Sequence, residues 1–318
     1  MSHFSLLVAL PPTSPDKVEA ALEDVLAPFD EDTEVAPYRA YESGNAEDYW
    51  PVAACREDGQ LPAEEPLTWE QVAEAVNARN KHDKDSSAYL HVDDDGRAYK
   101  VSTYNPNSKW DRWQIGGRWT GYFIPRADAA GDPRLLVGSP GESGDPCPAE
   151  RVDGGPRKLL DLAAMRAEAR HAAGEQFDRW QGLVTGLPEA HGWSAFLSRH
   201  EADPGAYPLW QAREEYGAQP QVKAARQSRE FVRMDCTIDT FSPGRDAYMQ
   251  QRADHAVPGY AYLGIDGVWQ APGRMGLFGQ STGTPQDQAE YAHRMNEQLD
   301  TLPPDTLLVA VDAVDCHI

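Results

Sequence analysis

The sequence predicts an α+β protein: a central, mostly antiparallel sheet with both chain termini contributing strands, plus a helical insertion. Three observations carry this reading. Short apolar runs at 4–10 and 306–314 read as buried strands near the two ends. Asp95-Gly96 and Asp266-Gly267 each sit between β-rich runs, the pattern of a hairpin turn. The middle of the chain shows helical rather than alternating periodicity, so strands and helices are segregated instead of interleaved.

Phe4 to Leu10 is the first strand, and Pro11-Pro12 ends it. Ser14-Pro15-Asp16 opens a helix with a Ser cap, Pro at its first position and an acid in its first turn; Val18, Ala21, Leu22, Val25 and Leu26 share one face. Residues 29–66 are acidic and irregular, and Thr68-Trp69-Glu70-Gln71 is a capping box for a helix to about Arg79. Ala88 to Val92 and Arg97 to Val101 flank Asp93-Asp94-Asp95-Gly96 as a hairpin; as an EF-hand loop this stretch would need ligands where His91 and Ser102 stand. Trp110 to Ile124 continues as aromatic strand-like sequence, and residues 127–156, rich in Gly, Pro, Asp and Ser, read as a linker or long surface loop. Leu159 to Leu187 is a long helix, residues 188–220 are broken into short pieces, and Val222 to Val232 forms another helix. A second hairpin spans Tyr260 to Gln270, Thr284-Pro285-Gln286-Asp287 caps the last helix, and Thr306 to Val314 is the closing strand. If the first and last strands lie side by side, residues 1–125 and 259–318 form a discontinuous core and 126–258 the loop-rich, helical insertion.

Composition narrows the function. The 318 residues hold 29 Lys+Arg against 51 Asp+Glu, a formal charge of −22. Phosphate backbones and anionic membranes are met by clustered bases, so neither direct nucleic-acid binding nor a membrane surface is expected. No run of apolar residues is long enough to span a bilayer. The four cysteines, Cys55, Cys147, Cys236 and Cys316, are far apart and form no C-x-x-C pair; with no secretory leader evident, free thiols and a cytoplasmic location are expected.

The stretch Asn105-Pro106-Asn107-Ser108-Lys109-Trp110-Asp111-Arg112-Trp113-Gln114-Ile115-Gly116-Gly117-Arg118-Trp119 resembles uncharacterised proteins that recur in tailed-phage and actinobacterial genomes. Met1-Ser2-His3-Phe4, Gly273-Arg274-Met275-Gly276-Leu277-Phe278-Gly279 and Asp315-Cys316-His317-Ile318 carry the same resemblance. It implies a mobile-element connection and no particular activity. The chain departs from the family pattern at Arg112, where a further aromatic is expected after Asp111.

Two constellations have the residue types of a site. In the first, Lys109, Trp110, Asp111, Arg118 and Trp119 are candidates to bind substrate. Gly116-Gly117 permits close backbone approach or positive φ, and an Arg behind paired glycines can fork onto a phosphate or carboxylate. The competing reading is a bulge with the tryptophans packed on the sheet and Arg118 paired to an internal acid. In the second, Asp312, Asp315, Cys316 and His317 follow the closing strand. Asp315, Cys316 and His317 are the candidate catalytic residues, and His3, Asp315 and His317 the candidate ligands of a divalent metal. His3 reaches this end only if the first and last strands are antiparallel neighbours; the competing reading is a fraying tail.

Other motifs are weaker. Glu168/His171 and Glu290/His293 have di-iron spacing without the further long helices such a bundle needs, and Gly279-Gln280-Ser281-Thr282-Gly283 has nucleophile-elbow spacing but leaves few residues after it. Two functions follow as expectations. One is a hydrolase or transferase acting on a small anionic, phosphorylated substrate. The other is an acidic binding or inhibitory protein that engages a host protein or mimics nucleic acid.

Overall fold

A computed structural model describes residues 2–62, 66–82, 86–138, 150–234, 236–274 and 282–314. In chain order its elements are β1 (His3–Leu10), α1 (Val18–Leu26), β2 (Tyr38–Tyr41), α2 (Pro51–Glu57), α3 (Trp69–Arg79), β3 (His91–Val92), β4 (Ala98–Ser102), β5 (Arg112–Ile115), β6 (Leu136–Val137) and β7 (Val152–Pro156). There follow α4 (Leu162–Val184), α5 (Trp193–Ala202), α6 (Leu209–Ala218), α7 (Pro220–Gln227), α8 (Thr237–Phe241), α9 (Arg245–Asp254), β8 (Ala261–Leu263), β9 (Trp269–Gln270), α10 (Pro285–Thr301) and β10 (Leu307–Val314). Their contacts divide the chain into one unit of residues 26–111 and one of residues 1–25 with 112–318.

In the larger unit, β1 and β10 pair antiparallel along their whole length, from His3 opposite Val314 to Leu10 opposite Leu307. The strand order is β6-β7-β10-β1-β8-β9. Only the β1–β8 pairing is parallel among the described ladders of this sheet, so the sheet is mostly antiparallel and both ends of the chain supply its central strands. All eight residues of β10 are buried, and β1 is exposed in part only at His3 and Ser5. Burial on both faces explains why these strands read as continuous apolar runs. Leu7, Leu308 and Tyr262 pack with Tyr291, Met295 and Leu299, which recur on one face of α10 as an amphipathic stripe should.

One edge of β10 has two partners in succession. Leu307 to Val309 pair with β7, and Val311 to Val314 pair with β5. The β7 segment lies within the range expected as an insertion and read as part of a linker, so that reading is corrected. Its sequence, Val152-Asp153-Gly154-Gly155-Pro156, lacks strand alternation because packing demands the glycines. A Cβ on Gly154 would overlap the Leu308 carbonyl, and one on Gly155 would press on the Leu135 side chain. The helical stretch that follows has its own core, where Phe177 and Trp180 of α4 meet Phe231, Phe241 and Tyr248, with Trp180 stacked on Phe241 at 5.0 Å.

The unit of residues 26–111 is a three-stranded antiparallel sheet, order β2-β4-β3, with Val52 and Cys55 of α2 and Val72 and Val76 of α3 in a core that also takes Leu90 and Ala98. Asp93 closes the β3–β4 hairpin by accepting from the backbone N–H groups of Asp95 and Arg97, and Gly96 takes φ +76. The acidic cluster there is thus a turn device. The predicted capping box forms at Thr68/Gln71, and the predicted cap at Thr284 forms as a second box with Asp287. Ser14 does not cap with its side chain; a 3₁₀ turn at Pro15–Lys17 precedes α1.

Candidate functional site

The antiparallel pairing of β1 and β10 places His3 diagonally across from Asp312. His3 Nδ1 lies 2.8 Å from Asp312 Oδ1, and both side chains are 7% exposed. A carboxylate accepts, so in this contact Nδ1 carries the proton, and in the neutral form of that ring Nε2 is the acceptor nitrogen. Asp312 Oδ2 accepts from the backbone N–H of Arg118 at 3.0 Å. One carboxylate therefore joins the first strand, the last strand and the turn that follows β5.

That turn is shaped by its glycines. Gly116 and Gly117 have φ +68 and +54, and Gly116 N–H donates to the Ala310 carbonyl. A Cβ on Gly116 would overlap the Asp153 carboxylate, and one on Gly117 would come within 2.6 Å of Asp312 Oδ2. Asp153, fully buried, accepts from Gly121 N–H at 2.6 Å and from Thr120 Oγ1 at 3.4 Å. Residues 116–121 are thus held by two buried acids, through the backbone N–H groups of Arg118 and Gly121 and the Thr120 hydroxyl, as buried polar groups require.

Arg118 is related to an internal acid as one reading of the sequence had it, but through its backbone. Its guanidinium is exposed and has no hydrogen-bond or ion-pair partner among the described residues. Trp119, beside it in a 3₁₀ turn, is half-buried. Lys109, Trp110 and Asp111 belong to the unit of residues 26–111. There Trp110 is buried, with its indole N–H donating to the Leu26 carbonyl at 3.2 Å, and the Lys109 backbone N–H donates to the Phe29 carbonyl at 2.8 Å. Asp315, Cys316 and His317 lie outside the described residues, as does most of the 279–283 elbow motif, at residues 279–281. Of the proposed metal ligands only His3 is described, and no group of three or more metal-binding side chains occurs among the described residues. His171 and His293, the histidines with di-iron spacing, point to solvent at 79% and 77% exposure.

Asp153 was not singled out from the sequence. Its only signal is an acid directly before two glycines, which reads equally as loop. A cleft of about 470 Å³, lined by Arg252, His255 and Gln288 among others, gave no sequence signal either; burial holds the His255 imidazole below its ordinary value. A second, of about 570 Å³, is lined by Asn45, Glu47, Trp69 and Glu70. Neither includes His3, Asp312 or Arg118. No helix among the described residues is long and apolar enough to cross a membrane. No family model, curated protein or solved structure matches the chain.

Proposed function

We propose that the protein is a hydrolase or transferase for a small anionic substrate, with His3 as general base, Asp312 as the residue that orients it and Arg118 as the anion-binding cation. The hydrogen bond of His3 Nδ1 to a carboxylate itself fixed by a backbone donor is the observation that carries this reading. A base oriented by a third group is the arrangement that activates water or a hydroxyl nucleophile. On a phosphate ester, the water oxygen bonds to phosphorus and the bond to the leaving oxygen breaks. The imidazole takes the proton from water at Nε2 and returns it to the leaving oxygen. Arg118, exposed and without a partner among the described residues, supplies charge for the phosphoryl oxygens.

The test is hydrolysis of p-nitrophenyl phosphate and bis(p-nitrophenyl) phosphate by the full chain. We expect turnover that falls about a hundredfold or more in His3→Gln, as loss of a general base does, and a raised KM in Arg118→Ala with kcat less affected. Activity unchanged by His3→Gln in a folded protein overturns the assignment.

A further inference from the structure

The three-stranded sheet has one covered face and one open face, and the open face is aromatic and carries two arginines. Tyr41, Tyr99 and His91 stand directly opposite one another across all three strands. The Tyr41 and Tyr99 rings are 5.6 Å apart, and His91 is stacked on Tyr99 at 5.3 Å with 26° between planes. Two guanidiniums extend the row, of which Arg97 is ion-paired with Asp93 at 2.9 Å and with Asp95 at 3.6 Å. Arg39 lies over the Tyr99 ring at 4.7 Å, and Arg97 over the Tyr41 ring at 4.5 Å. Tyr41 is 43% exposed, and Arg39, His91 and Arg97 are exposed as well. On the other face, Ala98 and Val92 pack into the core with the helices.

Cross-strand aromatic pairs and cation–π contacts stabilise a sheet, and that is the ordinary use of such a face. Two features go beyond it. Three rings are contiguous, with Tyr41 and His91 exposed on either side of a half-buried Tyr99, where single exposed aromatics are the norm. Arg39 makes no ion pair among the described residues, in a chain where acids outnumber bases 51 to 29. Flat rings in a row at strand spacing, with guanidiniums stacked on them, match the π-faces and phosphates of an unpaired strand.

We propose that this open face binds single-stranded nucleic acid, about two or three bases stacking on the Tyr41–Tyr99–His91 row while Arg39 meets an intervening phosphate. This site is independent of His3 and Asp312. It also differs from the binding that net charge excludes, since a wide cationic face is needed for a duplex, whereas stacking on the rings and one cation, Arg39, are needed here. With one phosphate engaged, raising salt from about 50 to about 200 mM lowers the affinity about two- to threefold, far less than for a broad basic surface.

The experiment is fluorescence anisotropy of the full chain with labelled oligothymidylate, oligouridylate and a duplex, each about a dozen nucleotides long, at about 50 mM salt. Binding of either single strand at least about tenfold tighter than the duplex, weakened about tenfold by Tyr41→Ala and by Arg39→Ala, is the expected result. The tighter of the two strands identifies whether DNA or RNA is the ligand. Both substitutions are at exposed positions, and far-UV circular dichroism checks that the fold is kept. Tyr99→Phe, which keeps the ring, retains binding. Single strands bound no tighter than duplex, or bound equally by the wild type and both alanine variants, overturn the proposal.

Discussion

Gly116 and Gly117 are where single residues decide most. Each is in the left-handed region and each faces a buried carboxylate, Asp153 and Asp312 respectively. Gly116→Ala adds a strained backbone conformation to an overlap with Asp153, and we expect it to destabilise its unit by about 3 kcal/mol. Gly131, at φ +79 with open space around it, isolates the backbone part; Gly131→Ala should lose only about 1 kcal/mol. Urea denaturation of the two variants checks the difference, and equal midpoints would refute the clash. The need for glycine was legible, since paired glycines before an arginine promise either close approach or positive φ, and both occur. The partner was not. The acid under the Arg118 turn is Asp312, 194 positions away, and it takes the backbone N–H and not the guanidinium. Only the sheet register, absent from any local pattern, brings them together.

At the scale of elements, caps and Asp-Gly turns were legible because their chemistry is local. Thr284 accepts from the Asp287 backbone N–H at 3.2 Å, and Asp287 accepts from that of Thr284 at 2.8 Å, closing a box at the cap the spacing predicted. Thr284→Ala should cost about 1 kcal/mol, seen as a lower thermal midpoint, whereas Thr284→Ser should be close to neutral. Both hairpins form about their glycines, Gly96 at φ +76 and Gly267 at φ +74. Strand β7 was hidden for the opposite reason. Its glycines answer to Leu308 and Leu135, partners remote in sequence, so local reading sees a breaker where the sheet needs a flat, side-chain-free strand between β6 and β10. The aromatic strands β2 and β4 were equally incomplete on paper, because Tyr41 and Tyr99 become one surface only once Tyr38–Tyr41 pairs with Tyr99–Ser102.

For the molecule as a whole, the sequence carried the α+β class and the adjacency of its first and last strands, but gave no sign of what their faces bury. One consequence is a dependence on alkaline pH. Tyr122, Tyr262 and Tyr291 are packed in and against the core between the main sheet and α10. Burial raises all three phenols above their ordinary value of 10.0, Tyr262 to about 12. The unfolded chain releases these protons near pH 10 while the folded one retains them, so above pH 10 the unfolded state binds fewer protons and stability falls as pH rises. The contribution is whole below pH 10 and is lost as pH passes through the folded values. For Tyr262 alone, a displacement of this size is of the order of 2–3 kcal/mol. Tyrosinate absorbance and near-UV circular dichroism followed between pH 8 and 13 should therefore show two populations of tyrosine. One population ionises with the fold intact, and the buried set ionises together with loss of the near-UV signal. If every tyrosine titrates near pH 10 without unfolding, the phenols are not sealed in the core, and the packing of α10 on the β1–β10 pair must be redrawn.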